Sequence, residues 1–283
     1  MNSSGHNSFS SDDIQALSVP MKIGILGTVN GEGMPHLTML STLQASSPQI
    51  LTFGQFTEGL SKHHVVDNPK TSFLIMTLNK LFWRGKADWS HKEKAGPEYD
   101  MYNDIPMFRY NAYFGVHTVH YLNLVEQCGC EQLPMGRVVW ASIHTLIAKA
   151  IQKKSPAADV LNSWTQALFS KLDNLKFVCY IGDDGYPVIY SVIQAQPRDA
   201  ERIVFSFGAF GEDLRKIPVG APLAIFGLTL DMEDVLLRGE YLGVRKEAGI
   251  SYGSVKVNWV YNAMPPVAGQ IYPPLALETE RKF

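Results

Sequence analysis

Three cysteines in 283 residues, Cys128, Cys130 and Cys179, are too few and of the wrong parity for a disulfide framework. Their scarcity suits a reducing compartment. Cys128-Gly-Cys130 lacks the paired Cys-x-x-Cys or His partners of a zinc site, so these thiols read as small apolar side chains. Long apolar runs are missing too, since none reaches the ~18–20 residues that a membrane-spanning helix needs. The formal net charge is -2 and no long basic run occurs, so neither nucleic acid nor an anionic membrane is an expected partner. Residues 1–13 are rich in Ser, Asn and Asp and lack the charged-then-apolar order of a signal peptide. The sequence therefore predicts a cytoplasmic protein.

Familiar catalytic signatures are absent as well. There is no nucleophile elbow, no Walker loop and no dinucleotide glycine pattern, and Gly27-Thr-Val-Asn-Gly31 reads as hairpin chemistry. His63 and His64 are adjacent, so on a helix their side chains diverge by ~100°. His117 and His120, three apart on a predicted strand, fall on opposite faces. No metal site is expected from either pair, and no side chain stands out as a catalytic acid or base.

What is present is a repeat. Ile25-Leu-Gly-Thr-Val-Asn-Gly-Glu-Gly-Met-Pro35 aligns with Phe177-Val-Cys-Tyr-Ile-Gly-Asp-Asp-Gly-Tyr-Pro187, placing Gly33 on Gly185 at an offset of 152 residues (185 − 33). The same register puts Phe53 on Phe205 and Gly59 on Gly211, and two residues of drift put Arg84-Gly85 on Arg238-Gly239. Farther on, the segment from Phe114 to Tyr121 resembles that from Tyr252 to Trp259. Each copy has the grammar of antiparallel β structure: strands from Ile23 to Val29 and Pro35 to Leu43, joined by a turn rich in Asn and Gly, then strands at Gln49–Gly54 and Thr71–Thr77. A helical stretch near Ser61–Val66 ends at Asn68-Pro69. Between the copies, apolar residues recur at a period near 3.6 over Met135–Lys153 and Asp159–Leu172, which predicts two helices separated by Ser155-Pro156.

The expected fold is therefore mainly β, two tandem split β-barrels of Greek-key type joined by a helical segment. The expected organisation is a lead and short helix over residues 1–20, a first barrel over 21–134, a helical connector over 135–174 and a second barrel over 175–283. The stretch Glu98–Tyr110 reads as a surface connection that could shape a lid. Met264-Pro-Pro and Tyr272-Pro-Pro read as an extended tail.

Three segments carry a resemblance to a known family: Gly31-Glu-Gly-Met-Pro-His-Leu-Thr-Met-Leu-Ser41, Leu51-Thr-Phe-Gly-Gln-Phe-Thr-Glu-Gly-Leu-Ser-Lys62 and Asn68-Pro-Lys-Thr-Ser-Phe-Leu74. Together they resemble the FMN-binding split barrels of the pyridoxamine 5′-phosphate oxidase-like group. The resemblance implies that Thr57, Ser61 and Lys62 bind the FMN phosphate, which two hydroxyls and an ammonium near a helix N-terminus also suit chemically. The plainer reading is that Ser61 caps a surface helix and Lys62 is solvated. The resemblance further implies that the strand carrying His36, Leu37, Thr38 and Met39 lies along the isoalloxazine ring, with Trp83 and Arg84 near the ring or ribityl edge. For Trp83 a place in the core is an equal reading.

Leu60 and Ser61 stand where the oxidases of that group carry Arg-Lys, so oxidation of pyridoxamine phosphate is not what this chain is expected to do. In the second copy Asp213 and Leu214 replace Ser61 and Lys62, and that site reads as lost. The implied activity is an FMN-dependent oxidoreductase passing electrons between a small-molecule donor and acceptor. A deazaflavin could stand in place of FMN, and the alternatives are a non-catalytic protein that binds or senses FMN or haem, and a structural scaffold. A homodimer or an internal pseudo-dimer would supply two barrels.

Overall fold

A computed structural model describes residues 5–106, 115–151, 159–208, 210–247, 249–262 and 269–273. Its elements run α1 (Ser11–Leu17), β1 (Lys22–Val29), β2 (Pro35–Met39), β3 (Gln44–Ser47), β4 (Ile50–Gln55), α2 (Leu60–Asp67), β5 (Lys70–Thr77), β6 (Leu81–Glu93), α3 (Pro97–Asp104), β7 (Thr118–Gln127) and β8 (Glu131–Gln132). Then come α4 (Met135–Ile151), α5 (Ser163–Ser170), β9 (Leu175–Ile181), β10 (Pro187–Ser191), β11 (Gln196–Pro197), β12 (Arg202–Ser206), α6 (Gly211–Leu214), β13 (Pro222–Leu228), β14 (Asp234–Glu247), β15 (Ile250–Asn262) and β16 (Gly269–Tyr272).

The chain is mainly β, and its strands form two antiparallel sheets of one topology. The first runs β2-β1-β5-β6-β7-β4-β3 and the second β10-β9-β13-β14-β15-β12-β11. Strand for strand these orders are identical, so the repeat read in the sequence is a repeat of architecture. Only the eighth strands differ: β8 pairs with β6, whereas β16 pairs with β15.

The repeat extends to its turns. Asn30 N–H donates to the Met34 carbonyl at 3.0 Å and Gly182 N–H to that of Tyr186 at 2.8 Å. Gly33 and Gly185 hold the matching left-handed position at φ 76° and 80°, which glycine adopts without a Cβ penalty. The Arg-Gly pair repeats for a steric reason. A Cβ on Gly85 would collide with the Glu126 carbonyl oxygen, and one on Gly239 with that of Lys256.

One expected equivalence fails. Gly54 pairs with Val119 and Phe53 with His120, while Ser206 pairs with Tyr252 and Phe205 with Gly253. The counterpart of Tyr252 is therefore Val119, not Phe114. The slip is five residues, and an odd slip turns every side chain to the opposite face of the sheet. Two aromatic-glycine pairs in the sequence match by chance in a false register.

Two compact units emerge: Met1–Pro134 with Cys179–Ile189, and Met135–Val178 with Tyr190–Phe283. In the first unit the core gathers Phe9, Leu17, Leu26, Phe53, Phe73, Trp83 and Leu122, all buried. α1 closes one side through a reciprocal cap between Ser10 and Asp13. α3 is pinned by Tyr102, whose hydroxyl donates to the Thr42 carbonyl at 2.9 Å and accepts from Thr52 at 2.8 Å. That anchor makes residues 97–104 a fixed helix, and residues 107–110 of the expected connection lie outside the described residues, as do Ser155-Pro156 and Met264-Pro-Pro. α5 begins at Asn162, whose side chain accepts from Thr165 N–H at 2.8 Å, so it is shorter than the periodicity suggested.

Candidate functional site

β4 delivers Gln55 to the rim of a cavity of about 360 Å³, lined also by Glu58, Lys62, His63, Val66, Asp67, Lys92 and His120. A tight turn follows β4 and leads into α2. Gly59 is the helix N-cap; its carbonyl accepts from Lys62 N–H at 3.1 Å, but it has no side chain to cap the first turn of α2. Lys62 folds back over this end, its Nζ 3.5 Å from where a Cβ on Gly59 would stand. Burial holds the Lys62 ammonium below its ordinary pKa, and the Glu58 carboxylate partly offsets that effect.

Ser61 points the other way around the helix. It is 1% exposed, on the buried face with His64 and Val65, and its Oγ has no hydrogen-bond partner. A buried hydroxyl normally finds one, and leaving it unpaired costs ~1–3 kcal/mol. The plainer reading of Ser61 as a surface helix cap is excluded: it caps nothing and is not at the surface. Thr57 is exposed in the turn ahead of the helix.

A chain of hydrogen bonds backs the cavity. Trp89 Nε1–H donates to His120 Nδ1 at 3.1 Å. His120 Nε2 must then carry the proton and donates to Gln55 Oε1 at 2.7 Å. That fixes the Gln55 amide, whose Nε2 donates to Glu58 Oε1 at 3.2 Å. The His120 ring is stacked on Phe53 and held neutral: burial first, then Lys62 and Lys92, lower its pKa from 6.5 to about 4. His117, by contrast, is exposed.

The strand expected along a flavin ring approaches α2. His36 and Leu37 are buried while Thr38 and Met39 are half-buried at the end of β2. The His36 ring meets the His64 ring edge-on at 4.9 Å, and His64 Nδ1 lies 3.1 Å from Thr28 Oγ1. Trp83 and Arg84 do not line the cavity. Trp83 is a core residue, its Nε1 donating to Asp13 at 2.7 Å, and Arg84 is 3.2 Å from the Glu131 carboxylate. Of the residues singled out in the sequence, the structure thus groups Ser61, Lys62 and Thr57 around one helix end and brings His36 to its flank.

Gln55, Glu58, Lys92 and His120 went unrecognised in the sequence. The repeat itself held the signal. Gln55 corresponds to Phe207, Ser61 to Asp213 and Lys62 to Leu214 at the offset of 152 residues, and strand pairing matches His120 to Gly253. Three of these four polar positions became apolar or lost their side chain. In the second copy α6 is a single turn, Leu214 is buried, and Lys216 is spent on Asp213 at 3.0 Å. Among the described residues, no group of three or more His, Cys, Asp or Glu is placed to hold a metal ion. Nor is any helix there long and apolar enough to cross a membrane.

No family model matches the chain, and no curated protein matches it. Several solved structures resemble part of it. HupZ of Group A Streptococcus shares 15% identity over 41% of this chain and 86% of its own, with a TM-score of 0.32. A putative pyridoxamine 5′-phosphate oxidase from Lactobacillus delbrueckii shares 15% over 43% of this chain and 94% of its own, with a TM-score of 0.34. An FMN-binding protein from Syntrophomonas wolfei shares 15% over 43% and 83%, with a TM-score of 0.35. Likeness at this level carries no conclusion about cofactor or activity, which must rest on the residues.

Proposed function

We propose that the first unit binds flavin mononucleotide, with the phosphate at the N-terminus of α2, and that the chain is an FMN-dependent oxidoreductase of the pyridoxamine 5′-phosphate oxidase-like group. The observation that carries this reading is the unfinished state of that helix end. Its N-cap supplies no side-chain oxygen, the Ser61 hydroxyl is buried without a partner, and the Lys62 ammonium overhangs it. An anion there would meet the helix end and the Lys62 ammonium, and Ser61 is the nearest hydroxyl left without a partner. The donor set fits a phosphate, and the second copy, with Asp213 in place of Ser61, does not.

Bound flavin would supply the electron-transfer chemistry, and the protein's part is position and electrostatics. Lys62 and Ser61 would hold the phosphate, and Thr57 extends from the preceding turn. His36 to Met39 offer backbone groups along a strand next to α2. The Trp89–His120–Gln55–Glu58 chain fixes each side chain's orientation, and burial with two nearby lysines keeps His120 neutral. A small electron donor and acceptor complete the reaction. His120 is poorly suited to bind haem, since both its ring nitrogens are engaged.

The test is spectroscopic. Purified protein titrated with FMN is expected to give a perturbed flavin absorption band and quenched flavin fluorescence, and riboflavin, lacking the phosphate, is expected to bind far more weakly. A Soret band after haem addition, with no response to FMN, would replace this reading with the haem one.

A further inference from the structure

The second unit carries a cavity of different chemistry. α4 packs on β11, β12 and β15 and buries Val138, Ala141 and Ala148, while Val139, Trp140, Ile143 and Ile147 remain exposed, Trp140 at 58%. At the start of this helix Gly136, Arg137 and Trp140 line a cavity of about 370 Å³ together with Phe207 and Gly208. Gly208 allows the close approach, since a Cβ there would lie 2.7 Å from that of Ala141, and Gly136 leaves open space where a side chain would project.

Both aromatic walls are held in place. His144 Nδ1–H donates to the Trp140 carbonyl at 2.8 Å, and its ring packs on the indole with centroids 3.5 Å apart. Phe207 sits edge-on to Phe205 at 6.2 Å and carries the Arg215 guanidinium 4.0 Å above its ring. Among the described residues no carboxylate lines the cavity and neither Arg137 nor Arg215 forms an ion pair, and α4 contains no Asp or Glu. Phe207 is the counterpart of Gln55. Both copies therefore keep an opening at the end of the fourth strand of the repeat, polar in the first and lined by two aromatics and Arg137 in the second.

We propose that this opening is a second binding site, for a planar aromatic carboxylate stacked against Trp140 and Phe207 with its charge on Arg137. Aromatic walls supply the contact area, and a guanidinium without a carboxylate partner supplies the preference for an anion. The site is independent of the flavin reading, because it shares no residue with the α2 cavity.

The probe is 2-naphthoate, titrated calorimetrically into the full chain, with the neutral 2-naphthalenemethanol as comparison. Binding of the acid at least tenfold tighter than the alcohol is expected. Arg137→Gln should remove that preference, and Trp140→Leu should weaken both ligands at least tenfold. Ile143→Ser, on the same exposed helix face, and Lys62→Ala should leave the acid's affinity unchanged. Equal affinity for acid and alcohol, or no heat with the acid, would overturn the proposal. A loss in Ile143→Ser matching that in Trp140→Leu would mean a merely apolar surface, and a loss in Lys62→Ala would place the probe in the first cavity. Either result would also overturn it.

Discussion

The His120 ring lies flat on the Phe53 ring, centroids 4.5 Å apart and planes 6° apart. The second copy keeps the stack and changes its source: Phe205 there stacks on Tyr241, at 6.3 Å and 14°, from a different strand. Gly253 stands in His120's place, and a Cβ on it would press on both rings. One aromatic partner is thus conserved in volume while its hydrogen-bonding function is not.

His120 makes stability depend on pH in a defined window. Its pKa is about 4 in the folded protein against 6.5 unfolded, so the unfolded chain binds more protons between those values. Stability from this group is complete above pH 6.5 and declines as pH falls towards 4, by up to about 3 kcal/mol. Urea titrations at pH 7, 5.5 and 4.5 are expected to show this decline. In His120→Leu the same series should be flatter, and an equally steep series would refute the assignment.

Two buried lysines act at the other end of the scale. Lys176 is held at about 7 and Lys22 at about 8, in both cases by burial. Lys176 Nζ donates to the carbonyls of Lys171 at 2.6 Å and Ile193 at 3.0 Å, two acceptors that suit a neutral amine. The unfolded chain retains these protons up to about pH 10.5, so stability contributed here rises as pH increases from 7 towards 10. Lys176→Met should lessen that rise in thermal melts across the range. A variant rising as steeply as the parent would show that Lys176 is charged in the folded state.

Gly85 and Gly239 repeat because strand crossings leave no room for a side chain. Gly85→Ala is expected to destabilise by about 1–3 kcal/mol, the usual cost of overpacking, and Gly239→Ala by a comparable amount. Denaturant midpoints measure both, and an unchanged midpoint in either would contradict the tight approach of the neighbouring carbonyl.

Much of this fold was legible because turns and strands obey local rules. Gly33 and Gly185 announced their hairpins, Asn68-Pro69 marked the end of α2, and α4 followed from apolar periodicity. The β7–β15 equivalence was not legible, since two aromatic-glycine pairs matched by chance, and only hydrogen-bond pairing fixes which residue faces which. The site was half legible. Ser61 and Lys62 lie together in sequence at a helix start, whereas His120 reaches Gln55 from 65 residues away. Trp83 became core because Asp13, from a helix 70 residues earlier, takes its indole N–H.

Glu58 is the carboxylate that acts on the Lys62 ammonium. It is exposed and tied to Gln55, and a carboxylate there would repel a phosphate. Glu58→Gln should therefore tighten FMN binding severalfold and leave riboflavin binding little changed. Weaker FMN binding in this variant, read by fluorescence quenching, would mean that the carboxylate positions the site instead of competing with its ligand.

The most direct measurement compares FMN with riboflavin on the parent protein, Lys62→Ala and Ser61→Ala. The account predicts that the parent prefers FMN and that Lys62→Ala weakens FMN at least tenfold, as expected for loss of a charge-assisted contact. Ser61→Ala should weaken FMN less, and riboflavin affinity should stay the same throughout. Equal binding of FMN and riboflavin by the parent, or FMN affinity indifferent to Lys62, would contradict a phosphate site at the start of α2.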